Sequence, residues 1–169
     1  MEPSNMENIK KRRKGPRRVG RKIAFQILYS SNFFKQEKVN NYLKMIDHFS
    51  ADEKEPINER ATQFAKELVK GTLDHISELD KIIEEHSKNW KLSRIAKVEL
   101  TILRLAIFEM MYREDVPTKV AINEAVELSK TFGDENSKRF VNGILDAVAK
   151  TLENKLQNRE ETSNGQICS

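Results

Sequence analysis

The sequence contains one cysteine, six glycines and four prolines among 169 residues, and each scarcity excludes a class of protein. Cys168 has no partner for a disulfide within the chain, which fits a protein of the reducing cytoplasm. Few glycines and prolines leave long uninterrupted segments, which favours helices. No apolar run approaches the roughly 18–20 residues that span a bilayer, so we expect no membrane association.

Patterns typical of catalysis are also missing from the sequence. It has neither a phosphate-binding loop nor the glycine pattern of dinucleotide-binding proteins. His48, His75 and His86 lie in different predicted segments, without the spacing of metal ligands. We therefore expect a protein that is not an enzyme and that needs no cofactor or metal.

Positive charge is concentrated at the amino-terminal end. The net charge is +4, but residues 1–38 carry eleven Lys or Arg against three Glu, a sum of +8, which leaves −4 for the rest. A targeting signal, a membrane anchor, a solvated tail and a nucleic-acid contact could each explain this segment. The apolar run that follows is short and contains Gln26, which argues against a secretory signal. A basic segment on an acidic body favours a polyanionic partner, although residues 10–14 could also be a solvated, disordered arm.

Apolar residues recur at helical spacing along most of the chain, and no window predicts a strand. The central helix, which begins after a possible N-cap at Ser93, is apolar on nearly all sides and should be surrounded by other helices. Gly133 should end the sixth helix, and "DENS" should cap the seventh. We predict an all-α fold of about seven helices, with a disordered basic arm over residues 1–16, a helical domain over 17–156 and a flexible tail over 157–169.

The first predicted helix has two different sides. On a helical wheel, Val19, Ile23, Ala24, Ile27 and Leu28 form an apolar arc. The opposite side should carry cations and rings, namely Arg18, Lys22, Phe25 and Tyr29, with Arg21 about 60° from Arg18. Cations that bind phosphates and rings that stack on bases suit single-stranded nucleic acid. Alternatively, Phe25 lies at the edge of the core and Tyr29 at its boundary, with the hydroxyl in water.

Two further groups could extend such a surface. The turn before the last helix places two rings and two cations around a helix N-terminus, where backbone N–H groups favour anions: Phe132, Lys138, Arg139 and Phe140. The alternative is that both rings are core and both charges are solvated. Lys97, Thr101 and Arg104 share one side of the central helix, as a contact surface or a solvated stripe. Gly143 inside the last helix is best explained by close helix packing.

Three segments resemble one known family. "DVPTKVAINEAVELSKTFGDENSKRFVNGILD", residues 115–146, resembles the most recognisable segment of the NusB family of bacterial transcription antitermination factors. "RRVGRKIAFQILYS", residues 17–30, resembles its arginine-rich first helix, and "LSRIAKVELTILRLAIFEM", residues 92–110, resembles its central helix. The resemblance implies two perpendicular three-helix bundles that share core helices.

The resemblance also implies a function and a binding surface. It implies binding to the boxA RNA of ribosomal operons together with NusE, a small-subunit ribosomal protein, in a complex with other Nus factors and RNA polymerase. The RNA contacts that it implies are Arg17, Arg18, Arg21, Tyr29, Phe132, Arg139 and Phe140, to which the helical positions add Lys22, Arg104 and Lys138. Glu99 is the residue expected to contact the protein partner.

The sequence departs from the family pattern at two positions, and two alternative functions stay open. Val19 stands where some relatives have arginine, and Asn136 where many have an acid, which would strengthen RNA binding if that position approaches phosphate. The same helical module precedes the catalytic domain of an rRNA cytosine methyltransferase, but we expect no such domain here. A helical adaptor whose basic segment is only a tail is the remaining alternative.

Overall fold

The computed structural model describes residues 15–34, 38–51, 57–88 and 90–165. Residues 10–14 and Cys168 lie outside these ranges, so the disordered basic arm stays a prediction. The described helices are α1 (Pro16–Ser31), α2 (Val39–Ala51), α3 (Glu59–Asp74), α4 (Ile76–His86), α5 (Lys97–Tyr112), α6 (Thr118–Phe132) and α7 (Glu135–Gly165), with a 3₁₀ turn at Leu92–Arg94. The all-α fold with seven helices is thereby confirmed for the described residues. None of these helices combines the length and the apolar character that a bilayer span requires.

Local chemistry explains where α6 ends and α7 begins. Asp134 Oδ1 accepts a hydrogen bond from the Ser137 backbone N–H at 2.8 Å, and Ser137 Oγ accepts one from the Asp134 N–H at 3.2 Å. This reciprocal pair caps α7, as predicted for "DENS". Gly133 ends α6 with an extended backbone, and a Cβ there would lie 2.7 Å from Ser137 Cβ. Gly133 is therefore required for its small size in a tight turn.

Two predicted helix boundaries are wrong. Ser93 does not cap the central helix, because it lies inside the 3₁₀ turn and Ala96 is the residue that precedes α5. The chain instead runs extended through Ile95, whose side chain is buried in the core. At the other end, α7 continues to Gly165 and passes its predicted end near residue 156. Residues 153–160 are exposed, and most of them are strong helix formers, so the helix continues beyond the core that it helps to build.

The helices pack mainly in two groups. In one group α1 and α2 both lie against α3, and in the other α5, α6 and α7 contact one another. The helix α4 contacts α5 and α7, while α1 and α3 also reach α5. The predicted central position of α5 is confirmed, because its buried residues include every one from Leu100 to Leu103 and from Leu105 to Glu109. The perpendicular arrangement of two bundles stays a prediction.

The position of Arg21 contradicts the helical-wheel prediction that it faces outward. Arg21 is only 3% exposed, and its Nε donates to both carboxylate oxygens of Glu109, at 2.9 and 3.1 Å. Glu109 on α5 is itself 1% exposed, and burial raises its pKa while the hydrogen bonds from Arg21 oppose that rise. Because α1 lies against both α3 and α5, the buried part of its circumference is wider than its apolar arc. Arg21 therefore fixes α1 to the core.

The glycines of α1 and α3 permit the close approach of helices, whereas Gly143 does not. A Cβ on Gly20 would lie 2.8 Å from the Ala61 carbonyl oxygen of α3, and a Cβ on Gly71 would collide with the Phe108 ring. Apart from the adjacent backbone of α7 itself, a Cβ on Gly143 would meet no atom of the described residues within 4 Å. The prediction that close packing explains Gly143 is therefore wrong.

The first prediction uses this contrast. Gly143→Ala should raise the free energy of unfolding by about 0.5–1 kcal/mol, since alanine loses less backbone entropy in a helix. Gly71→Ala, the matched control inside α3, should lower it because the new methyl group displaces the Phe108 ring. Urea unfolding measures both, and a destabilised Gly143→Ala would contradict the open surroundings of that residue.

The second prediction concerns the buried ion pair. Glu109→Leu leaves the buried Arg21 guanidinium without its hydrogen-bonded carboxylate, with only the more distant Glu124 at 4.0 Å, and should cost about 3–5 kcal/mol. The double variant Arg21→Met/Glu109→Leu removes both charges and should cost less. Glu127→Leu, which breaks the exposed pair with Lys130, is the control and should change stability by less than about 0.5 kcal/mol. A double variant less stable than Glu109→Leu would contradict this account, because Arg21 would then stabilise the fold in the absence of Glu109.

Candidate nucleic-acid interface

The predicted cations of α1 differ in how they are engaged. Lys22 is exposed and forms no ion pair with any described residue. Arg18 Nη2 lies 2.6 Å from Glu124 Oε1 of α6, and this hydrogen bond raises the pKa of Arg18. Arg17 donates to the side chain and the backbone carbonyl of Asp115, at 2.7 and 2.9 Å. A phosphate can thus bind Lys22 directly, whereas it would share Arg17 and Arg18 with carboxylates.

A cluster of guanidinium groups around Phe64 holds the start of α1. The Cζ atoms of Arg17, Arg21 and Arg113 lie 5.5, 5.2 and 5.2 Å from the centre of the Phe64 ring. Arg113, which follows α5, also binds Asp115 through two hydrogen bonds of 2.9 Å. These hydrogen bonds lower the pKa of Asp115. Cation–π contacts and ion pairs together attach the first turn of α1 to α3 and to the α5–α6 loop.

Four rings form a continuous aromatic row from the α6–α7 turn to the end of α1. The ring centres of Phe132 and Phe25 are 4.5 Å apart, those of Phe25 and Tyr29 are 6.0 Å apart, and those of Tyr29 and Phe33 are 5.3 Å apart. Phe25 is 3% exposed, so it belongs to the core. Tyr29 is half-buried and Phe33 is 59% exposed. The aromatic row joins the two predicted groups into one surface.

The α6–α7 turn contributes cations beside the aromatic row. Arg139 is exposed and has no ion-pair partner within the described part of the chain, while Lys138 Nζ lies 3.6 Å from Glu135. Phe140 is half-buried against the core, and its ring centre lies 6.4 Å from that of Trp90. This side of the turn can therefore offer a cation to an anionic ligand.

Arg104 is engaged within the protein and does not lie on a solvated stripe. It binds Asp80 of α4 through Nε at 2.6 Å and Nη2 at 2.9 Å, and its Nη1 donates to Asn32 Oδ1 at 3.2 Å. Asn32 Nδ2 in turn donates to Thr101 Oγ1 at 3.0 Å, and Thr101 is buried. These contacts attach the carboxyl end of α1 to α5. The predicted contact of Arg104 with RNA stays a prediction, and it would require sharing this cation with Asp80.

Glu99, the predicted contact for a protein partner, lies beside the same turn. Its Oε1 accepts a hydrogen bond of 2.9 Å from Ser137 Oγ. A partner that binds Glu99 would therefore approach the surface formed by α1 and the α6–α7 turn. Within the described ranges, no group of His, Cys, Asp or Glu residues could hold a metal ion.

Two exposed rings were missed by the sequence-based reasoning. Phe33 continues the spacing of Phe25 and Tyr29, and this recurrence every four residues was a signal that could have identified it. Trp90, 54% exposed, lies before the 3₁₀ turn. No helical periodicity was available there to predict its contact with Phe140.

Comparisons with known proteins agree with this architecture. A transcription antitermination protein NusB from Geotalea daltonii is 49% identical over 142 residues, which cover 82% of this chain and 97% of that protein. The NusB of Geobacter sulfurreducens is 45% identical over 141 residues, 83% of this chain and 99% of that protein. These names agree with the prediction of a transcription factor that is not an enzyme.

Solved structures give the same result. A structure of T. maritima NusB is 34% identical, has a TM-score of 0.71, and aligns over 81% of this chain and 92% of that one. A second solved structure is a crystal structure of antitermination factors NusB and NusE in complex with dsRNA. Its matching chain is 29% identical, has a TM-score of 0.69, and aligns over 80% of this chain and 97% of that one. The sequence profile of the NusB family matches residues 18–150. The chain therefore belongs to the NusB family.

Proposed function

We propose that this transcription antitermination factor binds the boxA RNA of ribosomal RNA operons together with NusE, and that it suppresses termination by RNA polymerase with other Nus factors. The observation that carries the proposal is the aromatic row, which joins the outward side of α1 to the α6–α7 turn. The similar structure of NusB with NusE and dsRNA supports the coarser part of the proposal, RNA binding together with NusE.

The chemistry of this surface suits a single RNA strand. Lys22 and Arg139 offer charge to phosphates, and the exposed end of the aromatic row offers ring faces to bases. Base stacking tolerates many sequences, so the exocyclic groups and hydroxyls of the RNA need polar contacts as well. Tyr29 supplies a hydroxyl group at the edge of the surface.

The third prediction tests the two kinds of contact separately. If four or five phosphates are held, log affinity for boxA RNA should fall against log salt with a slope of about −3 to −3.5. Lys22→Gln and Arg139→Gln should each make the slope shallower by about 0.7. Tyr29→Ala should cost about 1–3 kcal/mol and leave the slope unchanged, because it removes no charge.

Fluorescence titrations at several salt concentrations measure these slopes. Lys155→Gln is the matched control, because Lys155 is exposed on α7 about 24 Å along the helix axis from Arg139. A slope near zero, or equal slopes for the control and the Lys22 and Arg139 variants, would contradict the proposed surface.

The fourth prediction concerns the protein partner. Glu99→Gln removes a charge but keeps an oxygen that can accept the hydrogen bond from Ser137. It should weaken binding of NusE measured by calorimetry and leave the affinity for RNA alone unchanged. Unchanged binding of NusE would exclude Glu99 from the interface.

A further inference from the structure

The most exposed ring of the aromatic row lies just beyond the end of α1. We propose that Phe33 is the outer stacking platform of this surface and that an unpaired RNA base lies on its free face. This inference rests on the proposed function and adds a residue to the RNA-binding site. Phe33 is 59% exposed, and such a ring is a ready partner for the π-face of a base.

The neighbouring rings leave Phe33 as the available platform. Tyr29 is flanked by Phe25, at an interplanar angle of 24°, and by Phe33, at 67°. One face of Tyr29 is therefore partly covered by Phe25, and the ring supports Phe33 through an edge contact. Phe33 contacts only one ring among the described residues, so its faces are open to a ligand.

The backbone that carries Phe33 is held in place before any ligand binds. The Phe33 N–H donates to the Ser30 carbonyl at 3.0 Å. Asn32 Nδ2 donates to the Tyr29 carbonyl and to Thr101 Oγ1, both at 3.0 Å, and Arg104 donates to Asn32 Oδ1. An apolar ring fixed at the surface in this way needs little further ordering on binding, which favours affinity.

The position of this ring, in line with the cation of Lys22, favours RNA over an apolar protein segment. Lys22, Gln26 and Tyr29 recur at helical spacing along one stripe of α1, and Phe33 continues that spacing just beyond its end. Lys22 lies about 16 Å along the axis from Phe33, so one strand could place a phosphate at Lys22 and a base on Phe33. The platform is thus continuous with the cationic part of the surface.

The chain offers a matched control for the test. Phe34 is the next residue and is 56% exposed, but it makes no ring contact with the described residues. Affinity for single-stranded boxA RNA should fall about 5- to 150-fold in Phe33→Ala and change little in Phe34→Ala. Phe33→Tyr should restore binding, because it restores the ring.

An RNA series with one abasic nucleotide moved along the strand identifies the base. At one position, the abasic RNA should bind the wild-type protein and Phe33→Ala equally well, since the stacking partner is already missing. The salt slopes of Phe33→Ala and Phe34→Ala should match the wild-type slope, because neither substitution changes a charge.

Two outcomes would overturn the proposal while leaving the proposed function intact. In the first, wild-type protein binds RNA but Phe33→Ala and Phe34→Ala bind it equally well. In the second, Phe33→Ala weakens only the binding of NusE in the absence of RNA, which would assign the ring to the protein interface. Failure of the wild-type protein to bind boxA RNA would overturn the proposed function and this inference together.

Discussion

The buried ion pair between Arg21 of α1 and Glu109 of α5 is the constraint on which the functional surface depends. Two charges in the core tolerate little displacement, because each would lose its closest compensation for desolvation. The pair therefore sets the rotation of α1 about its own axis. With α1 in that rotation, Lys22 is exposed and Tyr29 is half-buried at the edge of the core. Arg21, one of the RNA contacts that the family resemblance implies, is thus held in the core, where it fixes α1.

The same arrangement determines how the cations act. Arg17, Arg18 and Arg104 each bind a carboxylate of the body, while Lys22 and Arg139 have no such partner among the described residues. The sequence therefore contains more basic residues than can bind a phosphate without breaking an ion pair inside the protein. The proposed surface combines few free charges with several rings, so we expect it to select unpaired bases and not charge alone.

Periodicity predicted most of the fold, because each helix buries a stripe that the sequence displays locally. Gly133 marked a helix end, since its backbone chemistry acts within a few residues. The role of Arg21 could not be predicted in this way, because its partner lies 88 residues away and a wheel of one helix contains no neighbours. Phe33 was missed for a related reason: it follows the helix end, so the wheel stopped before the residue that completes the row.

The central claim is that α1 and the α6–α7 turn form one RNA-binding surface, joined by the contact of Phe25 with Phe132. Amide NMR spectra of the protein titrated with single-stranded boxA RNA test it most directly. We expect the signals of Phe33 and Arg139 to shift together, with one dissociation constant, while that of Lys155 stays in place. Shifts confined to only one of the two segments, or two different dissociation constants, would contradict a single surface.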